Sequence, residues 1–326
     1  MNMRAVVIDR IGGPEALRLA EVSSPTPAAG EVLVQVAYAG VNPADWKTAA
    51  GYLGNFFEYT FPLVIGFDFA GTIVALGAGV DGLRPGDRVV GQSDIGSGRW
   101  GSYAECVAVQ QGSVVKITDE LGLAEAAAIP TAALAARAAL LDDGQLQSGQ
   151  HVLIHGGSGG VGSFAVQFAK LCGARVAATC STANLDYVRA LGAEQVIDYR
   201  SEDVSERLHE WTPQGVDLVV DAVGLKTLPQ ALDLLRPGGT LANIMTLEPG
   251  DMPDIAAAEQ RGLRSTLTYS RSPCGAPLGW IIGQIQGGRI KLPPVEILPL
   301  AQVARAHELS RGGHTRGKLV LQVADG

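Results

Sequence analysis

The feature that most constrains the fold is the glycine-rich run His155-Gly-Gly-Ser-Gly-Gly-Val-Gly162, set between Val152-Leu-Ile154 and the helical pattern Phe164-Ala-Val-Gln-Phe-Ala169. Gly157, Gly159 and Gly162 satisfy G-x-G-x-x-G in a strand, turn, helix context. In that context the glycines provide a tight turn, close backbone approach to a pyrophosphate and close helix packing. The amino terminus of the following helix adds free N–H groups and partial positive charge. Gly157, Ser158, Gly159, Gly160, Val161 and Gly162 are therefore the candidate contacts to a dinucleotide.

The flanking sequence agrees with this reading. From residue 151 onward, short apolar runs (Val152-Leu-Ile154, Arg175-Val-Ala-Ala-Thr179, Gln195-Val-Ile197, Asp217-Leu-Val-Val220, Thr240-Leu-Ala-Asn-Ile244) are separated by stretches read as helical. Alternation of this kind predicts a parallel sheet with crossover helices, its strands apolar on both faces. Upstream, from residue 4 to about 121, the pattern is strand and turn: Val32, Val34 and Val36 share one face, and turn residues recur at Gly12-Gly13-Pro14 and Pro85-Gly86-Asp87. The final segments resemble the first region, so the chain is expected to return to it.

Composition limits the partners. With 33 acidic against 25 basic side chains in 326 residues, a formal charge of −8 and no Lys/Arg cluster, nucleic-acid binding is disfavoured. Cys106, Cys172, Cys180 and Cys274 form no C-x-x-C and read as small buried residues, without metal or disulfide. The longest apolar stretch, 123–141, is broken by Glu125, Pro130 and Arg137, which predicts an interrupted helix and no membrane span. The amino-terminal apolar run is too short for a signal core, and the expected compartment is the cytoplasm.

The end of the second strand distinguishes the two dinucleotides, because a carboxylate there binds the adenosine ribose and repels a 2′-phosphate. Here it reads Thr179-Cys-Ser-Thr-Ala-Asn184, with no carboxylate before Asp186. Ser181, Thr182 and Asn184 can donate to a phosphate, and Arg200 and Arg316 are the candidate cations to neutralise it, so NADPH is the expected cofactor.

At this point the chain resembles the medium-chain dehydrogenase/reductase superfamily, and within it the zinc-independent quinone oxidoreductases. The resemblance rests on Gly40-Val-Asn-Pro-Ala-Asp45, Gly66-Phe-Asp-Phe-Ala-Gly71, Pro85-Gly-Asp-Arg-Val89, the glycine loop, Asp221-Ala-Val-Gly224 and Gly317-Lys-Leu-Val320. It implies an α/β protein: a GroES-like β-barrel domain (residues 1–123, with 267–326 returning to it) and a Rossmann, doubly wound parallel-sheet domain (124–266). It also implies a cofactor cleft between the domains and a homodimer. Zinc-dependent relatives carry Cys where this chain has Asn42 and Gly-His-Glu where it has Gly66-Phe67-Asp68, so no catalytic metal is expected.

The resemblance further places Asn42 beside the substrate pocket as a donor and Tyr52 on the pocket edge as a proton donor. It assigns Tyr199 to the 2′-phosphate, and Val223 and Met245 to strand ends beneath the ribose and nicotinamide. Thr131 is the hydroxyl nearest the position, here Ala135, where the family carries a Thr. Asp45 and Asp68 read as anchors. The implied activity is NADPH-dependent hydride transfer to a small quinone or α,β-unsaturated carbonyl, with enoyl thioester reduction or a non-catalytic NADPH-binding sensor as alternatives.

Overall fold

The computed structural model describes residues 2–56, 58–95, 101–244, 248 and 251–324. The chain forms two compact units. One contains Met1–Ala132, Arg271–Gly287 and Pro294–Gly326; the other contains Ala133–Ser270 and Gly288–Pro293. In chain order, the first unit supplies β1 (Asn2–Ile8), β2 (Leu17–Ser23), β3 (Glu31–Val41), β4 (Leu63–Val64), β5 (Asp68–Leu76), β6 (Arg88–Gln92), β7 (Cys106–Gln110) and β8 (Val114–Lys116). The second supplies β9 (His151–His155), β10 (Arg175–Cys180), β11 (Gln195–Asp198), β12 (Val216–Asp221), β13 (Leu235–Ile244) and β14 (Arg264–Thr268). The chain then returns to the first unit with β15 (Val295–Pro299) and β16 (Lys318–Gln322).

In the first unit β3 is the spine. Its alternating Val32, Val34 and Val36 are fully buried and pack with Phe69, Ile73, Val89, Val107 and Leu321. The sheet runs β15-β16-β3-β5-β6-β8, with β7 also paired to β3, and a smaller antiparallel sheet runs β2-β1-β4. Register sets up the chemistry. Leu319 of β16 faces Val41, Asp68 of β5 faces Gly40, and Gln92 of β6 faces Asp68. The ends of four strands therefore converge just where β3 runs into the helix Pro43–Ala49.

In the second unit the order is β11-β10-β9-β12-β13-β14, every neighbouring pair parallel. This is the 3-2-1-4-5-6 arrangement of a doubly wound sheet, whose strand order reverses between β9 and β12, the place where such sheets bind ligands. Helices follow β9, β10 and β11, but no helix separates β12 from β13. That crossover was expected to be helical. It contains Gly224 at φ 136° and Pro229, which cannot donate an N–H to a helical ladder, and it runs as successive turns. The apolar stretch 123–141 is broken as anticipated, with helices Leu123–Ala127 and Pro130–Arg137. No helix among the described residues is long and apolar enough to cross a membrane.

One short segment, Gly288–Pro293, re-enters the second unit alone. It is held by the Gln167 amide, which donates to the Lys291 carbonyl at 2.9 Å and accepts from the Lys291 N–H at 2.8 Å.

Candidate cofactor and substrate site

The glycine run forms a cradle at the carboxyl end of β9. Gly156 turns the chain at φ 84°, and a Cβ on Gly162 would lie 2.1 Å from the Gly156 carbonyl oxygen, so only glycine lets the helix Gly160–Leu171 start so close to the turn. Gly159 differs, since a Cβ there would meet nothing nearer than 3.5 Å. The first backbone hydrogen bond into this helix runs from Ser163 N–H to the Gly159 carbonyl. The N–H groups of Gly160, Val161 and Gly162 therefore precede the intrahelical ladder, and Ser158 through Val161 are partly exposed. The donor set fits a pyrophosphate.

His155, at the end of β9, ties this turn to the next one. Its Nδ1 lies 2.8 Å from Thr179 Oγ1, which accepts from the Gly156 N–H, and its Nε2 lies 2.9 Å from Thr227 Oγ1, which donates to the Gly224 carbonyl. That directionality assigns the proton to Nε2 and leaves Nδ1 accepting from Thr179. Burial lowers the imidazole pKa, in keeping with a neutral ring. Asp221 accepts from the N–H groups of Val223 and Gly224 and from Asn243, holding half-exposed Val223 beside Gly156. Met245 lies outside the described residues.

The turn after β10 collects Ser181, Thr182 and Tyr199. Asn184 donates to Ser181 Oγ, and Thr182 donates to Asp198 at 2.5 Å, so of the two hydroxyls Ser181 keeps its hydrogen for a ligand. Asp198 is a neighbour that sequence order concealed: parallel register sets Cys180 opposite it. Its carboxylate also accepts from the Arg200 N–H, and the Thr182 bond leads in lowering its pKa. Tyr199 bonds through its N–H to the Cys180 carbonyl, with its ring half exposed. Arg316 is exposed and belongs to the other compact unit.

In the first unit the converging strand ends build a closed polar network around Asn42, which is 2% exposed. Its Nδ2 donates to Asp68 at 2.9 Å, and its Oδ1 accepts from Lys318 Nζ at 2.5 Å; Lys318 also donates to the Val41 carbonyl. Thr131 gives Asp68 both its N–H and its hydroxyl, the latter at 2.6 Å, while accepting from Gln92 Nε2 at 2.6 Å. The Thr131 hydrogen is therefore spent, and toward a ligand its oxygen can only accept. Asn42 retains one amide hydrogen.

Asp45 completes the group by accepting from the N–H of Asn42 at 2.6 Å and of Phe67 at 3.1 Å. Burial, reinforced by the charge of Asp68, pushes its carboxyl up to about 7 against the opposing pull of the Asn42 N–H, Tyr103 and Lys318. Burial likewise raises Asp68 and lowers Lys318. Two carboxyls and one ammonium thus share a buried site, and each depends on the others for its charge state.

Tyr52 is not joined to this network. It is 38% exposed and meets the Trp46 ring edge-on at 6.0 Å. Lys318, Gln92 and His155 escaped sequence reasoning. The available signal for Lys318 was a lone cation opening the apolar strand Lys-Leu-Val-Leu. Among the described residues no group of three or more His, Cys, Asp or Glu is arranged to hold a metal ion.

Comparison with known proteins agrees with this architecture. Residues 28–119 match the family described as alcohol dehydrogenase GroES-like domain, and residues 191–321 the family described as zinc-binding dehydrogenase. A chloroplastic quinone-oxidoreductase homolog of Spinacia oleracea is 31% identical, covering 95% of each chain. The quinone oxidoreductase of Coxiella burnetii superposes with a TM-score of 0.87 at 32% identity, over 99% of this chain and 100% of that one. A mycobacterial protein solved in complex with NADPH gives 0.86 at 30% identity, over 98% and 99%. Similar over nearly its whole length to such proteins in both sequence and fold, the chain belongs to the medium-chain dehydrogenase/reductase family, among its quinone oxidoreductases.

Proposed function

We propose that this protein is an NADPH-dependent reductase that delivers hydride to a small quinone or α,β-unsaturated carbonyl without zinc. The observation that carries the reading is the glycine cradle at the switch point of the parallel sheet, with helix N–H groups available to a diphosphate. Gly160, Val161 and Ser158 hold the pyrophosphate, and Gly157, Gly159 and Gly162 allow its approach. Ser181 and Tyr199 would take the 2′-phosphate, with Thr182 and Asp198 fixing the turn; Arg316 stays a candidate cation by resemblance alone. Val223, held beside Gly156 at the carboxyl end of β12, would border the bound nucleotide within the second unit; Thr131 and Met245 stay candidates by resemblance alone. Bound nicotinamide supplies the hydride.

The remaining N–H of Asn42 donates to the substrate oxygen, where negative charge develops as hydride arrives. Tyr52 is assigned delivery of the final proton. The Lys318 ammonium against Asn42 Oδ1 and the donors crowding Asp68 oppose a divalent cation there, which supports the zinc-free assignment.

The working form is proposed to be a cytoplasmic homodimer. Four free cysteines suit a reducing compartment, and the terminal place of β14 in the second unit's sheet, among the described residues, supports pairing with a second copy. Pure protein is titrated with NADPH and NADH, then assayed with 1,4-benzoquinone, 9,10-phenanthrenequinone and a simple enone. Turnover with NADPH on at least one acceptor, retained after chelation, is expected. NADPH binding with no turnover on any acceptor rejects the reductase reading.

A further inference from the structure

The first unit contains a cavity of about 340 Å3 lined by the turn Gly12–Pro14, Trp46, Tyr52, His307 and Arg311. Its size lies at the lower end of small-molecule sites. Three elements build it: the β1–β2 connection, the helix Pro43–Ala49 and the helix Val303–Arg311. Four observations define what it accepts. The Arg311 guanidinium lies over the Trp46 ring at 5.8 Å, which presents a cation beside a flat aromatic wall. Among the described residues that line the cavity, Arg311 is the one charged side chain at neutral pH, because burial drives His307 down to about 4. Trp46 Nε1 and His307 Nε2 have no hydrogen-bond partner, although His307 is only 1% exposed. Finally, Ile11, next in sequence to lining residue Gly12, is an exposed apolar group.

A buried polar nitrogen without a partner is uncommon in native proteins and calls for an explanation. Two on the lining of one cavity, beside the Arg311 guanidinium, point to a ligand that brings its own polar atoms. The Trp46 indole N–H can only donate, so the matching group is an acceptor; Arg311 makes that acceptor anionic. The aromatic lining supplies the remainder of the recognition. We propose that this cavity is a binding site for a small aromatic carboxylate, its ring beside Trp46 and its carboxylate shared by Arg311 and the Trp46 N–H.

The test uses the full chain with benzoate and 2-naphthoate as probes and naphthalene-2-methanol as the uncharged control. The chain has four tryptophans, so 15N-indole labelling gives a spectrum with few signals, in which Trp46→Phe identifies the Trp46 resonance by its loss. The expected result is saturable one-to-one binding of the carboxylates that moves the Trp46 signal and persists in saturating NADPH. The alcohol should bind at least tenfold more weakly, and Arg311→Gln should weaken the carboxylates at least tenfold, with Arg311→Lys recovering part of the loss. Arg311 is exposed, so these variants are expected to fold, and circular dichroism checks that they do. Absence of saturable binding, equal affinity for acid and alcohol, an unchanged Arg311→Gln variant, or displacement by NADPH each overturns the proposal.

Discussion

Replacing Lys318 by Met is the most informative perturbation of the polar network. Lys318 is 5% exposed and is the buried cation whose charge acts on both Asp68 and Asp45. Met fills much of the same volume but leaves two buried carboxyls without a counter-charge, a change that costs about 3–5 kcal/mol when such a partner is removed. The penalty must depend on pH, and its sign follows from the protons bound. Asp45 ionises near 3.8 in an unfolded chain and at about 7 in the native one, so between those values the native state holds the extra proton. Its contribution to stability is therefore fully present below pH 4 and is lost as pH rises to 7, a swing on the order of 4 kcal/mol. Without Lys318 the native pKa of Asp45 moves higher still, and that of Asp68 with it, so the loss continues above pH 7. At pH 5 Asp45 is neutral and the raised Asp68 carboxyl is more readily protonated than at pH 8, so the deficit against the parent protein should shrink to less than about 2 kcal/mol; at pH 8 it should reach the full 3–5. Denaturant unfolding of the two proteins at both pH values measures this directly. A deficit that is equal at pH 5 and pH 8, or one below about 1 kcal/mol at pH 8, would refute the account of Lys318 as the network's counter-charge.

Other expectations follow from individual contacts. Gly162→Ala should lower the melting temperature and abolish NADPH binding, because its Cβ collides with the Gly156 carbonyl, whereas Gly159→Ala should melt normally and lose only affinity, read by NADPH fluorescence. His155→Phe removes two hydrogen bonds joining the cofactor turns and leaves the Thr179 and Thr227 hydroxyls without this partner, a cost of about 2–4 kcal/mol in unfolding with weaker NADPH binding. Tyr199→Ala should weaken NADPH by roughly tenfold and NADH much less, in line with one lost stacking or phosphate contact; equal losses would remove Tyr199 from the 2′-phosphate site. Tyr52→Phe should slow turnover without changing NADPH affinity.

How much of this was legible in the sequence depended on distance along the chain. The glycine cradle was readable because a strand, a tight turn and a helix start occupy consecutive residues, and each imposes its own local requirement. The parallel sheet was readable from apolar runs, except where Gly224 and Pro229 replaced a helix by turns. The polar network was not, because Asn42, Asp68, Gln92, Thr131 and Lys318 span 277 positions and meet only through strand register. Asn42 could be singled out by type and motif, but its amide orientation could not, since that is fixed by Lys318 on one side and Asp68 on the other. Asp198 shows the same limit. A scan along β10 finds no carboxylate, yet the adjacent strand brings one to Thr182.

The short segment Gly288–Pro293 has a consequence for how this architecture can be rearranged. The polypeptide passes between its two units at residues 132–133, 270–271, 287–288 and 293–294. Residues 133–270 expressed alone would carry every strand of the parallel sheet yet leave the Gln167 amide facing no Lys291 backbone. Exchange of the nucleotide-binding unit between related genes by a double crossover around residues 133–270 would therefore import Gln167 without the donor's own 288–293 segment, and the recipient's segment would have to take its place. Because the groups it binds are main-chain N–H and C=O, recombination should succeed wherever the recipient presents that backbone in the same place, so this single glutamine ties the exchange to the course of a segment more than a hundred residues away and not to its side chains.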